Sequence, residues 1–245
     1  MTTRLIKNDF GMCLTELMIA MATGMIVLSA SIQMLDHFQQ RLWAQHRTIG
    51  LHQDQRIGMR IFEEELRMAG SYSTEPHASF RRVGRQEIEF DANIGGSITA
   101  LTQAVLPGGT ELSVADGSAW PKGKRILIRS GDHCAEGHLA QDGQRTLLKV
   151  VNPISEVFPP GSEITITNRV RYYLSKARSG KMSLMRQVDG GSNSIVSDVT
   201  LFELNYVDKT GKPTVDPAAV VRVRVQLAVG ADRRPITSEV GLRTR

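Results

Sequence analysis

The sequence predicts an α+β fold, in which a long N-terminal helix packs on an antiparallel β-sheet domain. Three observations carry this reading. An apolar run without a formally charged side chain covers the 19 residues from Leu17 to Leu35. Helical spacing of apolar residues continues beyond it, and all nine prolines and most of the 22 glycines lie past Gly70. After that break the period changes to two, the signature of half-buried strands.

The run is the first element. As a helix it would be about 28 Å long, close to the ~30 Å hydrocarbon core of a bilayer. Arg4 and Lys7 stand in the short polar head before it, which places the N-terminus in the cytoplasm and sends the remainder out. The run is long for a signal-peptide core, and no small-residue cleavage site follows it. Gly11 instead sits ahead of it, with Glu16 five residues past that glycine. A charge at the centre of a membrane helix costs about 2.5–3.5 kcal/mol. Glu16, in the first turns, reaches the headgroups and is favoured by the positive end of the helix dipole. Ala20 and Gly24 form a small-xxx-small pair of the kind that lets membrane helices approach closely.

The helical pattern then continues. Leu35, Phe38, Leu42 and Ile49 recur at helical spacing, and Ile57, Ile61, Leu66 and Ala69 extend a looser stripe. Gly70 after Arg67-Met68-Ala69 reads as a C-terminal stop. One helix from Met12 to Ala69 would be roughly 87 Å long, with Gly24, Gly50 and Gly58 as the places where it can bend. Glu63, Glu64 and Glu65 read as a solvated helix face, and His37, His46 and His52 as surface residues.

Beyond Gly70, strands are expected at Gln86–Phe90, Lys124–Arg129 and Thr146–Val151. Ile164, Ile166, Val170, Tyr172 and Leu174 alternate with polar residues, and the turn-rich Ser175–Lys181 leads into Met182–Val188, which predicts a hairpin. Asp198–Val207 is a further strand region. Val221, Val223, Val225, Leu227 and Val229 point one way with arginines and a glutamine between them, and Glu239–Arg243 closes the sheet. Asp189-Gly190-Gly191-Ser192 is turn punctuation.

Composition narrows the chemistry. The 30 basic and 25 acidic residues leave a net charge of +5, scattered rather than blocked, and no nucleic-acid-binding motif accompanies it. Cys13 lies in the apolar helix and Cys134 deep in the exported portion, so the two do not read as a disulfide pair. Asp132, His133, Cys134, Glu136 and His138 make the one cluster with metal-ligand chemistry, but their spacing matches no zinc motif, and they read as a solvated loop between glycines. There is no Gly-x-Ser-x-Gly elbow, phosphate-binding loop or His-Glu-x-x-His. Neither an enzyme nor a cofactor or metal site is expected.

The opening Gly11-Met12-Cys13-Leu14-Thr15-Glu16, set before the uncharged run, resembles the class III signal of type IV prepilins and pseudopilins. The resemblance implies that a prepilin peptidase cuts after Gly11, that Met12 becomes the N-methylated terminus, and that the helix stays on the mature protein. It also implies that the Glu16 carboxylate faces a cationic N-terminal amine, its own or a neighbour's, when the subunit joins a filament. Val170-Arg171-Tyr172-Tyr173-Leu174, Leu184-Met185-Arg186-Gln187-Val188, the stretch Val199–Asp208 and the junction Leu66-Arg67-Met68-Ala69-Gly70-Ser71-Tyr72 are similar to the PilW-type minor pilins. The likeness covers both ends of the chain. Residues 94–161 stand outside it, and Gln33 takes a place where many major pilins carry proline.

On this resemblance the chain divides into a leader (1–11), a transmembrane and filament-core helix (12–35), an amphipathic continuation (36–70) and a β-rich periplasmic domain (71–245). The expected fold is type IV pilin-like. The expected role is structural, as a minor pilin priming or capping a type IV pilus. Its partners would be the prepilin peptidase, other minor pilins, the major pilin and inner-membrane lipid, with no nucleic acid. Expected localisation is the bacterial inner membrane, single-pass with the C-terminal domain in the periplasm, and then the pilus at the cell surface. A J-type minor pseudopilin of type II secretion and an exported binding protein on an uncleaved anchor remain the alternatives.

Overall fold

Leu, Met, Ala, Gln and Arg, all good helix formers, dominate the stretch before Gly70, and no proline interrupts it. The computed structural model describes residues 14–69, 80–177, 180–230 and 234–242. Helix α1 spans Leu14–Leu66, 53 residues, and passes unbroken through Gly24, Gly50 and Gly58. Its end tightens: the Met68 N–H donates to the Glu65 carbonyl at 3.0 Å and the Ala69 N–H to the Leu66 carbonyl at 3.1 Å. Such three-residue bonds satisfy carbonyls that the last α-turn would leave open. Gly70, read as the stop, lies outside the described residues.

The chain forms two compact units, the first ending at Gly50 and the second running from Leu51. In the first, every residue from Leu14 to Ile49 is exposed. In the second, α1 buries Gln55, Gly58, Met59, Phe62, Glu65 and Leu66. Of the expected stripe, Leu66 and Ala69 are buried and Ile61 is half-buried, while Ile57 is 50% exposed and falls off it. The inward face is the apolar stripe Met59, Phe62, Leu66 and Ala69, joined by two polar residues, Gln55 and Glu65, that find partners in the sheet and that apolar periodicity alone cannot register.

The strands are β1 (Arg82–Val83), β2 (Glu87–Ala92), β3 (Ile98–Ala100), β4 (Glu111–Ser113), β5 (Arg125–Ser130) and β6 (His133–His138). They continue with β7 (Leu147–Lys149), β8 (Glu163–Lys176), β9 (Met182–Val188), β10 (Gly191–Val207), β11 (Arg222–Val229) and β12 (Ile236–Gly241). The main sheet runs β1-β2-β8-β9-β10-β11-β12, with every pair antiparallel. The expected hairpin is present, Val170 pairing with Val188 and Lys176 with Met182. Between β9 and β10 the two-residue turn Asp189-Gly190 has φ of 49° and 96°, the left-handed pair that a tight hairpin with twisted strands requires. Val223, Val225 and Leu227 of β11 are buried with Phe202 and Leu204 of β10 against Met59, Phe62 and Leu66 of α1.

Strand β8 belongs to two sheets. Its second half, Asn168–Tyr173, pairs with β2, while Glu163–Thr167 pairs with β5. Ile164 and Ile166 therefore enter a second core with Leu101, Leu112, Ile126, Leu148 and Phe158, beside the small β4–β7 sheet. Residues 94–161, where two strands are expected outside the family likeness, hold β5 and β7 at those places and form a β-rich extension with its own core. The segment read as a glycine-flanked loop is strand β6, paired with β5 from Arg125↔His138 to Ser130↔His133. Polar residues alternate along it because one face is solvated.

Candidate functional site

Gly11 and Met12, the expected processing site, lie outside the described residues. Glu16 lies in the first described turn of α1 and is exposed. Behind it α1 is long and apolar enough to cross a membrane, with no part of the apolar window buried. Met18 is 63% exposed, Ile26 69% and Met34 65%. The hydroxyls within the run are internally satisfied. Thr23 Oγ1 donates to the Ile19 carbonyl at 2.9 Å, Ser29 Oγ to Met25 at 2.8 Å and Ser31 Oγ to Val27 at 2.8 Å. Each removes a donor that would otherwise cost free energy in hydrocarbon. A Cβ added to Gly24 would meet nothing within 4 Å. Ala20 and Gly24 are both exposed.

The other end of α1 is fastened to the sheet. Glu65 is 5% exposed. Arg186 Nε lies 2.9 and 3.0 Å from its two carboxylate oxygens, with Nη2 closing the second contact of the fork. The Tyr172 hydroxyl donates to Glu65 Oε2 at 2.5 Å. Two donors thus compensate a carboxylate withdrawn from water, as a buried charge requires. Hydrogen bonding to Glu65 raises the Arg186 guanidinium above its ordinary value. Burial, and then the Glu65 charge, pushes the Tyr172 phenol far above its ordinary range, so it remains a donor. Phe62 meets the Tyr172 ring edge-on at 4.8 Å. One turn earlier on α1, Gly58 sits so close to β10 that an added Cβ would lie 2.3 Å from Val196 Cγ2. Gln55 Nε2 donates to the Leu227 carbonyl of β11 at 2.6 Å.

The reading of Glu63–Glu65 as one solvated face is therefore corrected for Glu65. Glu64 keeps that role, paired with Arg60 at 2.9 Å on the exposed side. Gly58 is a close-approach position and not a bend. The signal available in the sequence was position: Gln55, Gly58 and Glu65 fall on the helical face marked by the apolar stripe Met59, Phe62, Leu66 and Ala69.

The Asp132–His138 cluster does not converge. Alternation turns His133 away from Cys134, Glu136 and His138, and side chains two apart on one strand stand roughly 6.6–7 Å from each other. Zinc ligands must all come within about 2.0–2.3 Å of one ion. Among the described residues, no group of three or more His, Cys, Asp or Glu side chains is placed to hold a metal. His133 Nδ1 instead faces Glu156 at 3.5 Å. Burial, together with the Glu156 and Glu136 charges, pushes the Cys134 thiol up, which lowers its reactivity. No family model matches the chain, and no curated protein matches it.

Proposed function

We propose that this chain is a prepilin-type structural subunit, a PilW-like minor pilin that helps to prime or cap a type IV pilus. It is held first in the bacterial inner membrane by α1, with its sheet domain in the periplasm. After cleavage between Gly11 and Met12 it is drawn into a bundle of helices of the same kind. The role is scaffolding rather than catalysis.

One observation carries this reading: an uncharged 19-residue run, uncovered along its length, entered through Gly11 and a single carboxylate, Glu16. A helix of that composition needs an apolar surround, and lipid and packed neighbouring helices both supply it. A simple anchor has no need of Glu16 beyond a dipole partner at the helix start. A filament subunit has a further use for it, because the carboxylate can meet an N-terminal amine inside a low-dielectric bundle, where such a pair is worth more than in water. The fastening of the far end of α1 supports the reading too, since force on the helix must reach the sheet domain through side chains such as Glu65 and Gln55.

The test is Glu16→Leu. Removing the charge lowers the cost of insertion, so the variant should be made, inserted and cleaved. Losing one member of a desolvated ion pair costs about 3–5 kcal/mol, so it should be recovered poorly with partner pilins and should reduce surface piliation. Wild-type recovery of partners and pili would reduce Glu16 to a dipole partner at the helix start and remove the assembly role. Recovery of secretion components in place of pilins would move the subunit to a type II secretion pseudopilus.

A further inference from the structure

A cleft of about 710 Å³ lies on the face of the sheet opposite α1, where the β5–β6 extension meets β8 and the β9–β10 turn. Its position follows from alternation on β8: Val170 and Tyr172 face the helix core, so Arg169 and Arg171 face the cleft. Lys122, Lys124 and Arg125 approach from the extension. Glu89, Glu136 and Asp189 are the carboxylates of the lining, so cations exceed anions.

The cations are not equivalent. Arg125 is spent on the fold, 11% exposed and paired with the buried Asp91. Lys124 pairs with Asp189 at 2.8 Å. Burial opposes ionisation of Asp189, but hydrogen bonds from Lys124, Asn168 and the Arg169 amide hold its carboxyl below the ordinary value. Arg169 is 51% exposed and only 3.5 Å from Glu89 through Nε, a loose contact. Lys122 Nζ has no ion-pair partner among the described residues. Arg171 is bonded through Nε to Glu87 at 2.8 Å, and its guanidinium carbon lies 4.6 Å over the Tyr173 ring. Stacking and the Glu87 bond fix that guanidinium plane before any ligand arrives, which reduces the ordering lost on binding.

We propose that this cleft docks an acidic peptide segment of a neighbouring protein, its carboxylates seated on Lys122, Arg169 and Arg171. The proposal deepens the reading of the chain as an assembling subunit and rests on it. Arginine presents a planar fork that matches a carboxylate with two parallel hydrogen bonds. The alternation of charge favours a peptide over a nucleic acid. Duplex DNA carries a charge every ~1.7 Å along its axis and would press phosphates onto Glu89, Glu136 and Asp189. An extended peptide turns only every second side chain to the cleft, one about every 6.6–7 Å, a far sparser line of charge that can settle on the cations between the acids. Eight of the twelve lining residues are charged and none has a hydrophobic side chain, unlike the hydrophobic walls of small-molecule pockets.

The experiment uses the full chain in detergent micelles and fluorescence anisotropy of three probes: labelled hexaglutamate, labelled hexalysine and a labelled random-sequence DNA duplex. Hexaglutamate should bind saturably and hexalysine should not. Lys122→Gln removes an exposed ammonium with no ion-pair partner among the described residues, leaves the fold intact, and should weaken hexaglutamate a few-fold. Lys122→Gln with Arg169→Gln should weaken it about tenfold or more, the loss of charge-assisted contacts. Arg222→Gln with Arg224→Gln removes the same charge from β11 and should change affinity by less than about twofold, since exposed charges beyond a Debye length are screened. Absence of saturable binding, equal losses in both double variants, or tighter binding of the duplex than of hexaglutamate would each overturn the proposal. The assay requires neither processing nor assembly. A negative result in a chain that begins at Met12 therefore rejects the docking site alone, and an uncleaved Met1 rejects the filament reading alone.

Discussion

The Glu65 carboxylate in the last turn of α1 and the Arg186 guanidinium of β9, 121 residues apart in sequence, meet as a two-contact fork between helix and sheet. The two partners differ in shelter: the Arg186 side chain is 21% exposed and that of Glu65 only 7%. The pair is therefore asymmetric. Arg186→Ala leaves a buried carboxylate with Tyr172 as its one remaining donor, whereas Glu65→Ala leaves a cation that can turn toward water. We expect Arg186→Ala to cost about 3–5 kcal/mol and Glu65→Ala distinctly less. In a domain of this size that is a fall in Tm of roughly 10 °C for Arg186→Ala. Thermal unfolding of the two variants checks the order; equal losses would mean that the carboxylate is better solvated than its burial indicates.

Close approach at Gly58 gives a second expectation. Alanine is ordinarily the better helix former by about 1 kcal/mol. Here its methyl would lie 2.3 Å from Val196 Cγ2, and a β-branched side chain cannot swing aside cheaply. Gly58→Ala should therefore destabilise by about 1–3 kcal/mol, the range for overpacking. Adding Val196→Ala should return part of that loss, which chemical denaturation of the single and double variants will measure. A stabilised single variant would show that α1 and β10 can move apart freely.

Alkaline stability follows from two buried phenols. Burial pushes Tyr172 and Tyr206 well above the ordinary value of 10.0, helped at Tyr172 by the Glu65 charge and at Tyr206 by Glu87. A folded pKa above the unfolded one means that the folded state holds its protons longer. Stability from this source is complete below about pH 10 and falls as pH rises beyond it. Burial pushes Cys134 up as well, so the comparison belongs in a Cys134→Ser background. Denaturant midpoints between pH 8 and 11 should fall, and Tyr206→Phe should flatten the fall, since its hydroxyl contributes only local bonds such as that to the Gly84 carbonyl at 2.8 Å. A midpoint independent of pH in the parent would contradict the burial of both rings.

Much of the architecture was legible because single patterns encode it. The uncharged run, the change of period after Gly70, and the alternating valines of β11 each show in one short window, and Met182–Val188 was bounded to the residue. What was not legible depends on distant partners. Glu65 looks like Glu63 and Glu64 until Arg186 is brought beside it, and Gly58 looks like a bend until Val196 is. Strand β6 was hidden because its polar, solvated face mimics loop composition. The second core was hidden because β3 and β4 are three residues each, too short for alternation to register, so β5 and β7, both expected, had no visible partners there. The carboxylate at Glu16 was legible as an oddity of charge placement, which is all that a sequence window can express of it.

The most direct measurement of the central claim is the intact mass and N-terminal peptide of the protein from its native membrane. The account predicts a chain that begins at Met12, methylated on its α-amine, with the whole apolar run from Leu17 to Leu35 retained. A chain that keeps Met1, or one cut beyond Leu35, would contradict it.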